Sequence, residues 1–233
     1  MCTKAVRVDA RAMSTRLNVP IINSRTSVSS GQKADDAQKQ ETLPTDYTPV
    51  ITIQRPREIQ YMRWGLVPAF ANDLKEYAPM LNARAETLFT LPSFRDLVMT
   101  FRCLILNEGF YESEVIGNER VNWLVKPAQE DYFYKAGLWT TWRDPQSGDL
   151  TESFTMITCD PGSSEFGRIH DRIPIIMNKA ERRLWMNPSA TKDQLIGLLK
   201  PCDPSMYHIT EHNRKQVRPK RSDKGQSGGP TFF

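Results

Sequence analysis

Arg102-Cys103-Leu104-Ile105-Leu106-Asn107-Glu108-Gly109-Phe110-Tyr111-Glu112 is the stretch whose reading decides the fold. Its first half is a short, mostly apolar run, which reads as a buried strand. Gly109-Phe110-Tyr111-Glu112 follows it directly and sets a carboxylate beside residues fit to line a pocket at a strand end. Similar short runs lie on both sides. Upstream are Val50-Ile51-Thr52-Ile53 and the alternating Ile59-Gln60-Tyr61-Met62-Arg63-Trp64, which Gly65-Leu66-Val67-Pro68 interrupts. Downstream, Val121–Val125 and Tyr132–Trp139 look like paired strands, and Ser153–Thr158 is another. Ile173–Met177 reads as a strand whose Pro174 suggests an edge or bulge. A short helix is expected within 84–99, a second capped by Asn178 and running through Trp185, and a third over Thr191–Leu199. Many short strands with a few helices give an α+β class in one domain.

Residues 24–48 are rich in Ser, Thr, Gln, Lys and Asp and read as a mobile loop inserted into a domain spanning 1–210. Residues 211–233 are basic, then Gly/Ser-containing, and read as a disordered tail. The 233 residues carry 39% hydrophobic and 25% charged side chains, the balance of an ordinary globular protein. A net charge of +4 is compatible with nucleic acid as a partner without requiring it. The four cysteines, Cys2, Cys103, Cys159 and Cys202, are far apart and form no metal-ligand spacing, so neither a zinc site nor a cofactor is expected. The first ten residues lack the apolar stretch of a signal peptide, and no apolar run reaches membrane-spanning length. The expectation is an intracellular protein with reduced thiols, in the cytoplasm or nucleoid of a bacterium or the nucleus of a eukaryote.

Several residues carry possible chemistry. His170, in Ile169-His170-Asp171-Arg172, follows the turn-rich Asp160–Ser164 segment. Taken alone it reads first as a histidine held by Asp171 or Arg172; the alternative is a proton shuttle near neutral pH. Glu112 reads as a solvated turn glutamate or as a pocket carboxylate with a raised pKa. Asn82 and Arg84 read as turn capping with a surface ion pair, or as an orienting amide beside a phosphate-gripping guanidinium. Cys2, once Met1 is removed, carries an α-amine and a thiol on adjacent carbons. With a pKa of about 7.7–8.0, such an amine is partly neutral at pH 7 and can attack an aldehyde to form a Schiff base. The neighbouring thiol can then close onto the imine carbon as a thiazolidine.

Met1-Cys2, Trp64–Pro68, Asn82-Ala83-Arg84-Ala85-Glu86-Thr87, Arg102–Ile105, Gly109–Glu112, Phe154–Thr158 and Ile169–Pro174 occur in one order along the chain. Together they resemble the SRAP family (SOS response-associated peptidase-like proteins), which includes abasic-site DNA crosslinking proteins. The resemblance implies a compact, barrel-like core of mostly antiparallel strands with a few flanking helices. It implies that Cys2 bonds to the ring-opened aldehyde of an abasic site in single-stranded DNA; a monomer with no membrane partner is expected. Asn82 would position the α-amine, Glu112 would handle protons during Schiff-base formation, and His170 would protonate the sugar oxygen. Lys4, Trp64, Pro68, Arg84, Arg95 and Thr158 would serve the DNA-binding surface. The chain departs from the family pattern at Thr3-Lys4, where Gly-Arg is usual, and at Ser113, where Trp is common. Those changes bear on DNA affinity and rate more than on the chemistry. Two other readings remain: a cysteine peptidase or self-processing N-terminal-nucleophile hydrolase built on Cys2, His170 and Glu112, and a non-covalent single-stranded DNA-binding module.

Overall fold

The computed structural model describes residues 4–22, 41–74 and 77–216. Cys2 therefore lies outside the described residues, as do 24–40 of the expected loop and 217–233 of the expected tail.

The core is a closed ring of five strands: β4 (Tyr47–Thr52) and β5 (Arg55–Trp64), β7 (Arg102–Asn107), β10 (Phe133–Arg143) and β11 (Leu150–Cys159). The smaller β1 (Ala5–Val6), β2 (Ile21–Ile22), β3 (Glu41–Thr42) and β6 (Asn82–Arg84) are placed around it, with β8 (Phe110–Ile116) and β9 (Glu119–Pro127) as a long hairpin. Antiparallel pairing runs β5–β4–β7–β10–β11. The ring closes where β11 lies parallel to β5, with Ser153 opposite Arg63 and Phe154 opposite Trp64. Closure satisfies the ladder groups that an open sheet would leave at its edges. Gly65, at φ +119°, turns the chain out of β5 at this seam, and its N–H donates to the Phe154 carbonyl at 2.9 Å. A side chain there would meet Pro79 Cβ at 2.6 Å, so the close approach needs glycine.

A second sheet in the order β13-β9-β8-β1-β3, ending in β13 (Tyr207–Gln216), lies beside the barrel. Phe110 of this sheet meets Phe133 of the barrel, with ring centres 5.8 Å apart. β12 (Ile173–Pro174) pairs only with β11, so Pro174 occupies the edge its missing N–H predicts.

Among the described residues four short helices flank the strands: α1 (Ala10–Leu17), α2 (Leu97–Thr100), α3 (Lys179–Trp185) and α4 (Lys192–Leu198). The last two begin where the sequence places them. Asn178 and Thr191 each accept from their helix's N3 backbone N–H, while Glu181 and Gln194 bond back to the cap. Arg102 ties α2 and α3 to the barrel. Its fully buried guanidinium donates to the carbonyls of Val98, Met99, Trp185 and Asn187 at 2.6–2.8 Å. Those of Val98, Met99 and Trp185 are carbonyls at helix ends that no turn of helix satisfies, and that of Asn187 accepts from the Ala190 N–H as well.

Ordered strand enters both segments read from sequence as irregular. β3 and the start of β4 occupy part of 41–48, because Thr42 pairs with Ala5 and the Asp46 carboxylate accepts from the Leu43 N–H. β13 carries the fold to Gln216, six positions into the expected tail at 211–216. Its charged residues are held by pairing with β9 and by Arg214, which bonds both Glu119 and Glu211 at 2.8 Å.

Candidate active site

Three segments meet beside β8. The first is β8 itself. Alternation puts Phe110 and Glu112 on the buried face and Tyr111 between them on the outer one. Gly109 lets β8 lie tight against its neighbours, since an added Cβ would meet the Val125 carbonyl at 2.7 Å. Val6 N–H donates to the Gly109 carbonyl and Tyr111 N–H to the Lys4 carbonyl, so β1 runs antiparallel along β8. Traced backward from Val6 through Lys4, the chain advances along β8 in the direction of Glu112.

The second segment is β6, which pairs parallel with β11 so that Asn82 faces Met156 and Arg84 faces Thr158. Trp64 fixes its approach: the indole N–H donates to the Leu81 carbonyl at 3.1 Å, and Met156 N–H donates to the same oxygen at 3.0 Å. The Asn82 amide is buried at both Oδ1 and Nδ2, and neither finds a hydrogen-bond partner among the described residues. Buried amides are nearly always paired, so this one is held ready for a partner that the described residues do not supply. Glu112 Oε1 is in the same condition.

The third segment is the loop after the 3₁₀ turn Glu165–Arg168. Arg172 anchors it, donating to both oxygens of Glu86 at 2.8 Å and to the Thr158 carbonyl at 2.6 Å. The fork grips the segment after β6, the end of β11 and the histidine loop at once. That hydrogen bond holds the Glu86 carboxyl below its usual range. His170 then points its Nε2 at Glu112 Oε2, 3.9 Å away.

The two facing groups are both shifted toward their uncharged forms. Burial pushes the Glu112 carboxyl up to about 7; the positive N-terminus and then Lys135 pull it back, and Asp171 pushes it further. Burial lowers the His170 pKa, the N-terminal charge lowers it again, and Asp171 opposes both. His170 Nδ1 accepts from the Arg172 N–H at 3.0 Å and lies 2.8 Å from Asp171 Oδ1. An unprotonated Nδ1 satisfies Arg172, and a protonated one satisfies Asp171. The ring has a partner in either state, which suits a group that passes protons.

The remaining candidates divide by exposure. Arg84 is exposed, and Lys4 pairs with Glu41 at 2.7 Å while lying over the Tyr111 ring. Arg95 is exposed in the segment leading into α2, 3.7 Å from Asp96. Trp64, Pro68 and Thr158 are buried, with Trp64 only 3% exposed, so they support the surface from beneath and offer DNA no face. The exposed aromatic of the Trp64 segment is Phe70, stacked edge-on against Tyr77. Arg172 and Glu86 stood inside quoted motifs, yet their pairing across 86 positions has no local signal. Cys103, Cys159 and Cys202 are buried, and burial pushes Cys159 and Cys202 up to about 12 and Cys103 upward as well. None is a ready nucleophile.

A five-stranded barrel with a carboxyl–imidazole pair at its flank defines a class, and comparison supplies the family. The family described as SOS response associated peptidase (SRAP) matches residues 1–216, and the chain belongs to it. The abasic site processing protein YoqW of Bacillus subtilis is 38% identical over 144 residues, covering 61% of this chain and 63% of YoqW. The abasic site processing protein HMCES of Xenopus tropicalis is 30% identical over 176 residues, covering 65% of this chain and 52% of HMCES. The matches thus span between half and two thirds of those relatives' lengths. Among solved structures, a Bacteroides thetaiotaomicron protein superposes with a TM-score of 0.75 at 26% identity, covering 90% of this chain and 91% of its own. A Bordetella bronchiseptica protein shares the fold, with a TM-score of 0.72 at 20% identity, covering 91% and 100%.

Proposed function

We propose that the protein processes abasic sites in single-stranded DNA by bonding to them through Cys2 after Met1 is removed. The observation that carries the reading is the Glu112–His170 pair, 3.9 Å apart with the carboxyl buried, on the stretch of β8 toward which β1 leads. β1 directs the chain toward that pair, the relatives are named for abasic sites, and the internal cysteines are buried.

The chemistry balances simply. The Cys2 amine nitrogen attacks the C1′ aldehyde of the ring-opened sugar. Glu112, half ionised near pH 7, takes the two amine protons in turn and passes each to the aldehyde oxygen, first to form the carbinolamine and then to release that oxygen as water. The thiol sulfur then adds to the imine carbon while its proton passes to nitrogen, closing the thiazolidine. One water is lost overall. His170, with a proton on Nε2, serves the sugar oxygen during ring opening. Asn82 offers its amide to the amine, and Arg84 and Arg95 offer charge to phosphates.

A second reading has one observation in its favour. Cys2, His170 and Glu112 would also serve peptide hydrolysis, the activity in the family's description, with Met1 as the substrate. Cys2→Ala, with Met1 removed, tests the first reading. The variant should form no stable adduct with abasic single-stranded DNA, since its amine alone gives only a hydrolysable imine, while its non-covalent affinity changes less than about twofold. An adduct of undiminished yield would overturn it.

A further inference from the structure

Lys135 is a lysine in the interior of a barrel. It is fully buried on β10, opposite Ile105 of β7, and faces the lumen. There it lines a cavity of about 10 Å³ with Thr48, Trp64, Asn107, Phe154 and Met156, so that all five barrel strands contribute. The polar atoms Thr48 Oγ1 and Asn107 Oδ1 are buried at this cavity without a hydrogen-bond partner among the described residues. An ammonium in such a place is costly to desolvate unless an opposite charge or another favourable contact answers it.

The direction of the side chain shows what answers it. Nζ lies 4.0 Å from the centre of the Phe110 ring. Phe110 and Glu112 are two apart on β8 and share its buried face, so the ammonium lies under the strand that carries the carboxyl. The ionisation of Glu112 feels Lys135 directly. From the other sides Glu112 is faced by His170 at 3.9 Å, and its ionisation also responds to the charges of Asp171 and of the N-terminus. Lys135 is the one among these that comes from inside the barrel and is shut away from solvent and salt.

We propose that Lys135 is a positioning residue of this site, its ammonium a fixed positive floor beneath Glu112 that holds the carboxylate ready to accept a proton. The proposal rests on the role given to Glu112 above and adds to it a residue that acts only through Glu112. A charge carried by the N-terminus is consumed when that amine reacts; the charge of Lys135 persists through the reaction.

The test uses the full chain with Lys135→Met, which keeps the side-chain length and removes the charge, and Lys135→Gln as a polar, uncharged second variant should the first not fold. The Glu112 carboxyl is titrated by carbon NMR in glutamate-labelled protein, assigned with Glu112→Gln, and the pH profile of adduct formation on abasic single-stranded DNA is recorded beside it. Loss of the charge should move the Glu112 midpoint up by about one unit. The adduct rate below that midpoint should fall about tenfold, with the melting temperature unchanged or higher. A midpoint and profile that stay put in the folded variants would overturn the proposal. Should the wild-type chain form no adduct at all, the proposed function fails, and the NMR midpoint still decides whether Lys135 acts on Glu112.

Discussion

At Glu112 and His170 a carboxyl raised toward neutrality faces an imidazole lowered away from charge, across 3.9 Å. Glu112→Gln should slow adduct formation on abasic single-stranded DNA by about a hundredfold or more, the usual worth of a general acid–base group. The same substitution should stabilise the protein at higher pH. The Glu112 pKa is about 7 in the fold against 4.5 unperturbed, so between those values the folded state holds the extra proton. Stability is full below 4.5 and is lost as pH rises through 7, a loss of roughly 3 kcal/mol. Glutamine does not ionise, so the melting temperature of the variant should exceed wild type by roughly 5–10 °C at pH 8 and by little at pH 4.5. Equal shifts at both pH values would show that the Glu112 carboxyl is not strained by burial. Sequence offered Glu112 and His170 as candidates that, each alone, read more naturally as surface groups. Burial decides between the readings, and burial comes from strands far apart in the chain.

The elements that sequence revealed are those with strong local chemistry. The apolar run after Arg102 is β7, and the Asn178 and Thr191 caps start α3 and α4. α1 went unread although Asp9 caps it, because its residues are mostly exposed and polar and carry little apolar period. Residues 211–216 of β13 were read as tail for a related reason: their charges are neutralised by a partner strand that local sequence does not display. Arg102 belongs to this scale too. It was read as the flank of an apolar run, yet it is buried and closes the ends of two helices. Arg102→Ala should strand the Val98, Met99 and Trp185 carbonyls and cost about 3–5 kcal/mol, comparable with breaking a buried charge network. Thermal unfolding should report a fall of about 10 °C. A change under 2 °C would mean that those carbonyls find other donors.

For the whole molecule, the barrel depends on one seam, the parallel contact of β5 with β11, some ninety positions apart. No local pattern encodes such a contact, so composition reached α+β and the ordered motifs of the family were needed to reach the barrel. The same seam brings Asn82 into place, since β6 continues the parallel pairing along β11. Fold and site are therefore one construction: the barrel strands carry Thr158 and the buried Lys135, β6 lies along β11 with Asn82, and the sheet beside the barrel carries Glu112. The central claim is that this construction serves a covalent bond between Cys2 and an abasic site. Intact-protein mass spectrometry, before and after incubation with single-stranded DNA containing one abasic site, tests it most directly. The account predicts a chain lacking Met1 that gains the mass of the oligonucleotide less one water, with the bond mapping to Cys2. A chain that lacks Met1 and gains no mass, or an adduct that maps to a lysine, would contradict it.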